Sequence, residues 1–138
     1  MSSVDVVNAH PRYRPARRLV ASFVRHVMRS AGIGRYAVTV VLHDNRASRQ
    51  LNTRWLGHRE PTDVISFALE EGRTLEGEVY VNLDRARLQA RQYRVPFSHE
   101  VARLVIHGTL HLAGMNDRSR AEKEAMQRRE DELLARWF

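Results

Sequence analysis

The sequence predicts an α+β fold: one domain over residues 1–138, with a mixed sheet of about four strands covered by helices. Three observations predict it. The length of 138 residues suits a single core, since typical domains hold about 100–150 residues. Hydrophobic residues make up 43% of the chain and charged residues 28%, the balance of a globular protein rather than of a disordered or collagen-like one. The apolar residues also switch between alternating and helical spacing along the chain, with no internal repeat, low-complexity tract or linker.

VDVVNAH (4–10) reads as a first short strand. ARRLVASFVRHVMRSAG (16–32) reads as an amphipathic helix with Leu19, Val20, Phe23, Val24 and Val27 on one side, stopped by Gly32 and Gly34. The GIG at that stop is no dinucleotide fingerprint, because it follows a helix and lacks the third glycine. YAVTVVLHD (36–44) is β-branched and ends in a turn-like Asp44-Asn45, and RASRQLNTRWLG (46–57) has helical polarity with Leu51 and Trp55 one turn apart. Gly57 and Pro61 end that helix before the strand VISFALE (64–70). The turn EGRT (71–74) then leads to the strand GEVYVNLD (77–84), which predicts a hairpin. Asp84 is expected to cap a helix over RARLQARQY (85–93), and Ser98 a longer, more apolar one over PFSHEVARLVIHGTLHLAG (96–114). The chain closes with an amphipathic helix over 119–138, opened by Ser119 and Glu122 in a capping box.

Composition narrows the chemistry. Without cysteine there is no disulfide framework and no thiolate metal site, so any metal must rest on nitrogen and oxygen. The first residues lack the apolar core of a signal peptide, and no apolar run approaches the roughly 20 residues that cross a bilayer; a cytoplasmic protein is expected. The net charge is +7, carried almost wholly by arginine, with Lys123 the only lysine. Arginine suits phosphate through its planar fork of donors, which favours a polyanion, most simply nucleic acid, over the blander reading of a solvated basic surface.

The sharpest motif is HGTLHLAGMND, His107 to Asp117. On a helix, side chains four apart share a face, so His107 and His111 converge. Two imidazole nitrogens on one zinc ion must lie a little over ~3 Å apart, which that spacing allows. Gly114 falls where a helix ends on a left-handed residue, and the return of the chain lets Asp117 swing in as third ligand. Three ligands with the fourth position open describe a catalytic rather than a structural zinc. The spacing matches that of the metzincin proteases, but their general-base glutamate is replaced by Gly108, which takes no proton; a peptidase is disfavoured. Two histidines and a carboxylate also suit non-haem iron.

From these residues the chain resembles the YbeY family, bacterial metal-dependent endoribonucleases of ribosomal RNA maturation. The resemblance rests on His107-Gly108-Thr109-Leu110-His111-Leu112-Ala113-Gly114 and extends through Leu51-Asn52, the run from Pro61 to Phe67, Gly77–Val79, and Met126 with Glu130. It implies an α+β fold with one zinc ion at the end of the long helix. It further implies action on single-stranded RNA, trimming of the small-subunit ribosomal RNA 3′ end, and ribosomal particles as partner.

Three positions depart from the family pattern. Asp117 stands for the third histidine ligand, and Asn116 for a neighbouring aspartate that would orient a histidine. Leu56 stands where the family commonly carries a phosphate-stabilising arginine. Arg54 and Arg59 flank that gap, with His58 beside Arg59. The expectation is that Arg59 takes the catalytic part while Arg54 and His58 contact RNA; solvated loop arginines are the competing reading. Asp63 is expected to be structural. His10, His26, His43 and His99 show no ligand spacing and are expected at the surface. Two functions stand side by side: a zinc-dependent endoribonuclease, and an RNA-binding ribosome-assembly factor that retains its metal for structure. The nucleophile, water or the RNA 2′-hydroxyl, is left open by the sequence.

Overall fold

In the computed structural model, chain order runs β1 (Ser2–Asn8), α1 (Arg17–Ser30), β2 (Tyr36–His43), α2 (Asn45–Trp55), β3 (Val64–Glu70), β4 (Leu75–Asn82), α3 (Leu83–Tyr93), α4 (Phe97–Leu112) and α5 (Arg120–Leu134). The structure describes residues 2–55, 62–70 and 72–138, with Trp55 and Glu70 by their backbone alone. The four strands form one sheet in the order β1-β2-β4-β3. β1 and β4 flank β2 in parallel, and β3 pairs antiparallel with β4, so the sheet is mixed and the hairpin forms as expected.

Alternation along the central strands puts Val38, Val40 and Leu42 of β2 and Val79 and Val81 of β4 on one fully buried face. Across it lie α1 and α4, which also pack against each other; α4 further contacts α3 and α5. A helix surrounded in this way must be apolar on nearly every side, and Val101, Ala102, Leu104, Val105, Ile106, Leu110 and Leu112 are all buried. This is why the long helix reads as more apolar than the others, and it packs against β3 and β4.

Gly108 explains how closely it is held. A Cβ there would lie 2.5 Å from Val79 Cγ1 and 3.0 Å from Val64 Cγ2, and Ser66 Oγ donates to the Gly108 carbonyl at 2.8 Å. Position 108 therefore faces the sheet. In a metzincin the corresponding residue bears the base; here the position is closed by packing as well as by residue type.

Several local expectations are corrected. The cap of α3 is Asn82, not Asp84: the Asn82 carboxamide oxygen accepts from the amides of Asp84 and Arg85, while Asp84 sits in the first turn and turns its carboxylate away. Ser98 caps nothing. Pro96 holds the N-cap position of α4 with extended geometry, which starts the helix early enough to place Ser98 inside it. The capping box of Ser119 and Glu122 is present. Leu19 is 39% exposed, at the edge of the α1 face buried by Val20, Phe23, Val24 and Val27.

His10 and His43 are buried, not superficial. His10 Nδ1 accepts from the amides of Arg12 and Tyr13, each at 3.0 Å, and its Nε2 lies 2.8 Å from Asp84 Oδ1, so the ring ties the segment after β1 to the start of α3. His43 ends β2 with Nδ1 3.0 Å from the Asp44 carbonyl, and burial lowers its pKa against the opposing pull of Asp44 and Asp84. Asp63 is structural as expected: one carboxylate oxygen accepts from the Val64 amide and the other from Gln89.

Candidate metal centre

α4 ends in a Schellman turn: the Gly114 amide donates to the His111 carbonyl and the Met115 amide to the Leu110 carbonyl, with Gly114 at φ +100°. That turn returns the chain past the last turn of the helix and carries Asp117 back to it. His107 and His111, on one face of α4, point their Nε2 atoms at each other 3.2 Å apart. Asp117 Oδ2 lies 3.5 Å from His107 Nε2 and 3.4 Å from His111 Nε2. The three donors make a nearly equilateral triangle. A tetrahedral ion with bonds of about 2.0–2.2 Å needs donors roughly 3.3–3.6 Å apart, so the triangle has about the size of one face of a coordination tetrahedron. Among the described residues this group of three is able to hold a metal ion.

Glu130 of α5 prepares His107 for that role. Its Oε2 lies 2.6 Å from His107 Nδ1, which fixes the proton on Nδ1 and leaves the Nε2 lone pair facing the other two donors. Burial by itself lowers the His107 pKa, but the Glu130 hydrogen bond and the charges of Glu130, Asp117 and Asp63 outweigh it and raise it above the ordinary histidine value. Carboxylates that favour a proton on the ring favour a cation beside it for the same electrostatic reason. The donors are neither sealed nor fully open: side-chain exposure is 21% for His107, 30% for His111 and 35% for Asp117, so a substrate can reach them from solvent.

The sequence-predicted ligands are thus brought together, all three. Arg54 lies at the exposed C-terminal end of α2, and His58, Arg59 and Leu56 fall outside the described residues. Asn116 is exposed. The orienting carboxylate expected to be lost at Asn116 is supplied instead by Glu130. Spacing along the chain gave no pointer to it, but its helix did: Met126, Glu130, Leu133 and Leu134 form the buried stripe of α5, and a glutamate in such a stripe needs a partner.

Fold and site together define a class: a small α+β domain whose central helix presents a two-histidine, one-carboxylate donor set at its C-terminal turn. A family model described as Endoribonuclease YbeY matches residues 8–138. The chain belongs to this family, and is an endoribonuclease whose substrate is RNA. It is 39% identical to the Endoribonuclease YbeY of Chlorobium chlorochromatii (strain CaD3) over 96% of this chain and 84% of that one. It is 37% identical to that of Salinibacter ruber over 87% and 85%. The solution structure of TM1509 from Thermotoga maritima superposes with a TM-score of 0.66 at 26% identity, covering 98% of this chain and 91% of that one.

Proposed function

We propose that the chain is a zinc-dependent endoribonuclease of single-stranded RNA, with His107, His111 and Asp117 holding one zinc ion. The observation that carries this reading is the donor triangle, closed to within 3.2–3.5 Å by two elements of the chain and oriented by Glu130. A zinc ion there supplies Lewis acidity toward a phosphoryl oxygen and a lowered pKa for water. The chain's own residues do the rest. Glu130 keeps the His107 proton on Nδ1, Asp117 contributes the anionic donor, and Arg59 stabilises the charged phosphate, with Arg54 and His58 contacting the RNA strand.

The reading extends to the cellular role that the family resemblance implies: trimming of the small-subunit ribosomal RNA 3′ end and ribosome quality control, in the cytoplasm, on ribosomal particles. No helix among the described residues is long and apolar enough to cross a membrane.

The test combines metal content with cleavage. Protein purified without chelator is expected to carry about one zinc per chain and to cleave a single-stranded RNA. Activity should vanish with chelator, return with zinc, and be missing from His111→Ala prepared in parallel. RNA binding without metal-dependent cleavage would favour the assembly factor, and iron in place of zinc would change the metal assignment. Arg59→Ala should retain zinc and lose cleavage; an unchanged rate removes Arg59 from the site.

A further inference from the structure

Arg103 lies one turn before His107 on α4, with its side chain 25% exposed, among carboxylates that are far more buried. Its Nε donates to Glu100 Oε1 at 2.8 Å and one terminal nitrogen to Glu100 Oε2, a two-point grip on a side chain 1% exposed. The other terminal nitrogen reaches Glu130 Oε1 at 3.4 Å. The guanidinium also lies over the Tyr93 ring, 5.8 Å from the centroid, and its nitrogen on Glu100 Oε2 reaches Gln89 Oε1 at 3.5 Å, while Gln89 in turn donates to Asp63.

Glu130 is therefore a bridge with divided duties: Oε1 toward Arg103, Oε2 on His107 Nδ1. We infer that Arg103 is a positioning residue for the metal centre, holding the Glu130 carboxylate in the one rotamer that aims His107 Nε2 at the ion.

The electrostatics support a specific need for it. Glu100 and Glu130 are both nearly inaccessible, and among the described residues Arg103 is the one basic side chain that contacts the two of them. Without it the two buried carboxylates that share its guanidinium lose their common counter-charge where solvent screens poorly, and Glu130 has reason to turn from its place. A lysine would keep the charge but not the fork, so it can hold one carboxylate well but not both. The competing account is that Arg103 only neutralises Glu100 and so stabilises the fold.

The inference rests on the metal-site reading and is independent of whether RNA is cut. Its test is zinc affinity, measured by chelator competition on the full chain for wild type, Arg103→Met, Glu130→Gln and the double variant. Thermal unfolding of each metal-free protein serves as the folding control. Arg103→Met should weaken zinc binding about 10-fold, the scale at which an outer partner of a metal ligand acts. In the Glu130→Gln background the same substitution should change affinity less than about 3-fold, because the charge that Arg103 restrains is already gone. If Arg103→Met fails to fold, Arg103→Lys is read in the same two backgrounds with the same expectation of a loss that needs Glu130. Unchanged affinity, or an equal loss with and without Glu130, overturns the inference and leaves Arg103 a structural partner of Glu100. A wild-type chain that takes up no zinc overturns the metal reading, and this inference with it.

Discussion

At the scale of the residue, the decisive atom is His107 Nε2, because its partner nitrogen is already committed to Glu130. Two candidate donors on one helix need no search to find each other; the third must be delivered by the turn at Gly114. Asp117→Ala should therefore weaken zinc binding by more than about 100-fold, beyond the usual cost of outer partners, while the metal-free protein melts close to wild type. Metal analysis after dialysis, beside a thermal scan, checks both halves. The clustering of the three candidate donors was legible in the sequence because their geometry is local: four residues along a helix, a glycine three further on, an acid three beyond that. Glu130 and His10 were not legible in the same way, because their partners lie 23 and 74 residues away along the chain. Asp84, which His10 holds, offers a test by pH. Burial alone raises its pKa, but the hydrogen bonds from His10 and the Asn45 amide, with the charges of His10 and Arg12, bring the net value below the ordinary 3.8. A carboxyl depressed on folding stabilises the folded state above its unfolded pKa and loses that contribution as pH falls through the folded one. Asp84→Asn should thus destabilise the folded state at neutral pH, by about 0.5–1.5 kcal/mol for a pairing that is a third exposed to solvent. Urea titrations at a series of pH values should show the gap to wild type closing below about pH 4; a gap constant with pH contradicts the assignment.

At the scale of the element, α4 carries both the core and the site, and Gly108 couples them. Any side chain at 108 must displace Val79, which sits in the centre of β4 with no exposure. Gly108→Ala gains helix propensity, worth up to about 1 kcal/mol, but overpacking of this kind costs roughly 1–3 kcal/mol. The net expectation is a destabilised protein whose α4 moves off the sheet. Denaturant midpoints measure the first and zinc affinity the second; a more stable variant with intact affinity would show that the close approach is dispensable. Element types were readable because each period is sustained over several residues: alternation through Val38, Val40 and Leu42, helical spacing through Val20, Phe23, Val24 and Val27. Helix starts are less legible. Asn82 and Asp84 are both good caps two residues apart, and what chose between them was the strand register that leaves Asn82 at the end of β4, opposite His43. At Ser98 the competing signal was Pro96, whose fixed φ starts the helix before the serine can cap it.

At the scale of the whole molecule, the residues of the donor triangle line two clefts of different charge make-up. His107 and Asp117 line one, together with Glu130, Asp131, Arg103 and Lys123. His111 lines the other, with Gly114, Leu112, Arg35 and Arg73, and no described side chain lining it is a carboxylate. Register explains the second cleft: Arg35 precedes β2, its carbonyl accepts from the Leu75 amide at the start of β4, and Arg73 sits in the turn just before. A single-stranded polyanion entering the site meets a mixture of carboxylates and basic side chains on one side and two arginines over an aliphatic floor, with no described carboxylate, on the other, so the strand is expected to leave along the arginine side. Removing one arginine–phosphate pairing from a single-stranded complex lowers the slope of log affinity against log salt by about 0.7. Arg35→Ala with Arg73→Ala should therefore lower that slope by about 1.4, leave zinc affinity unchanged, and raise KM for RNA more than they lower kcat. Arg17 and Arg18, at the start of α1, line a cleft with β1 that does not include the donor triangle, and the same double substitution there should leave the slope near wild type. Fluorescence anisotropy of a 2′-O-methyl single-stranded RNA over a salt series reads binding apart from cleavage. A slope reduced by the α1 pair and not by Arg35 and Arg73 would put the RNA in the cleft between α1 and β1, and would require another way for +7 of net charge to bring the strand to His111.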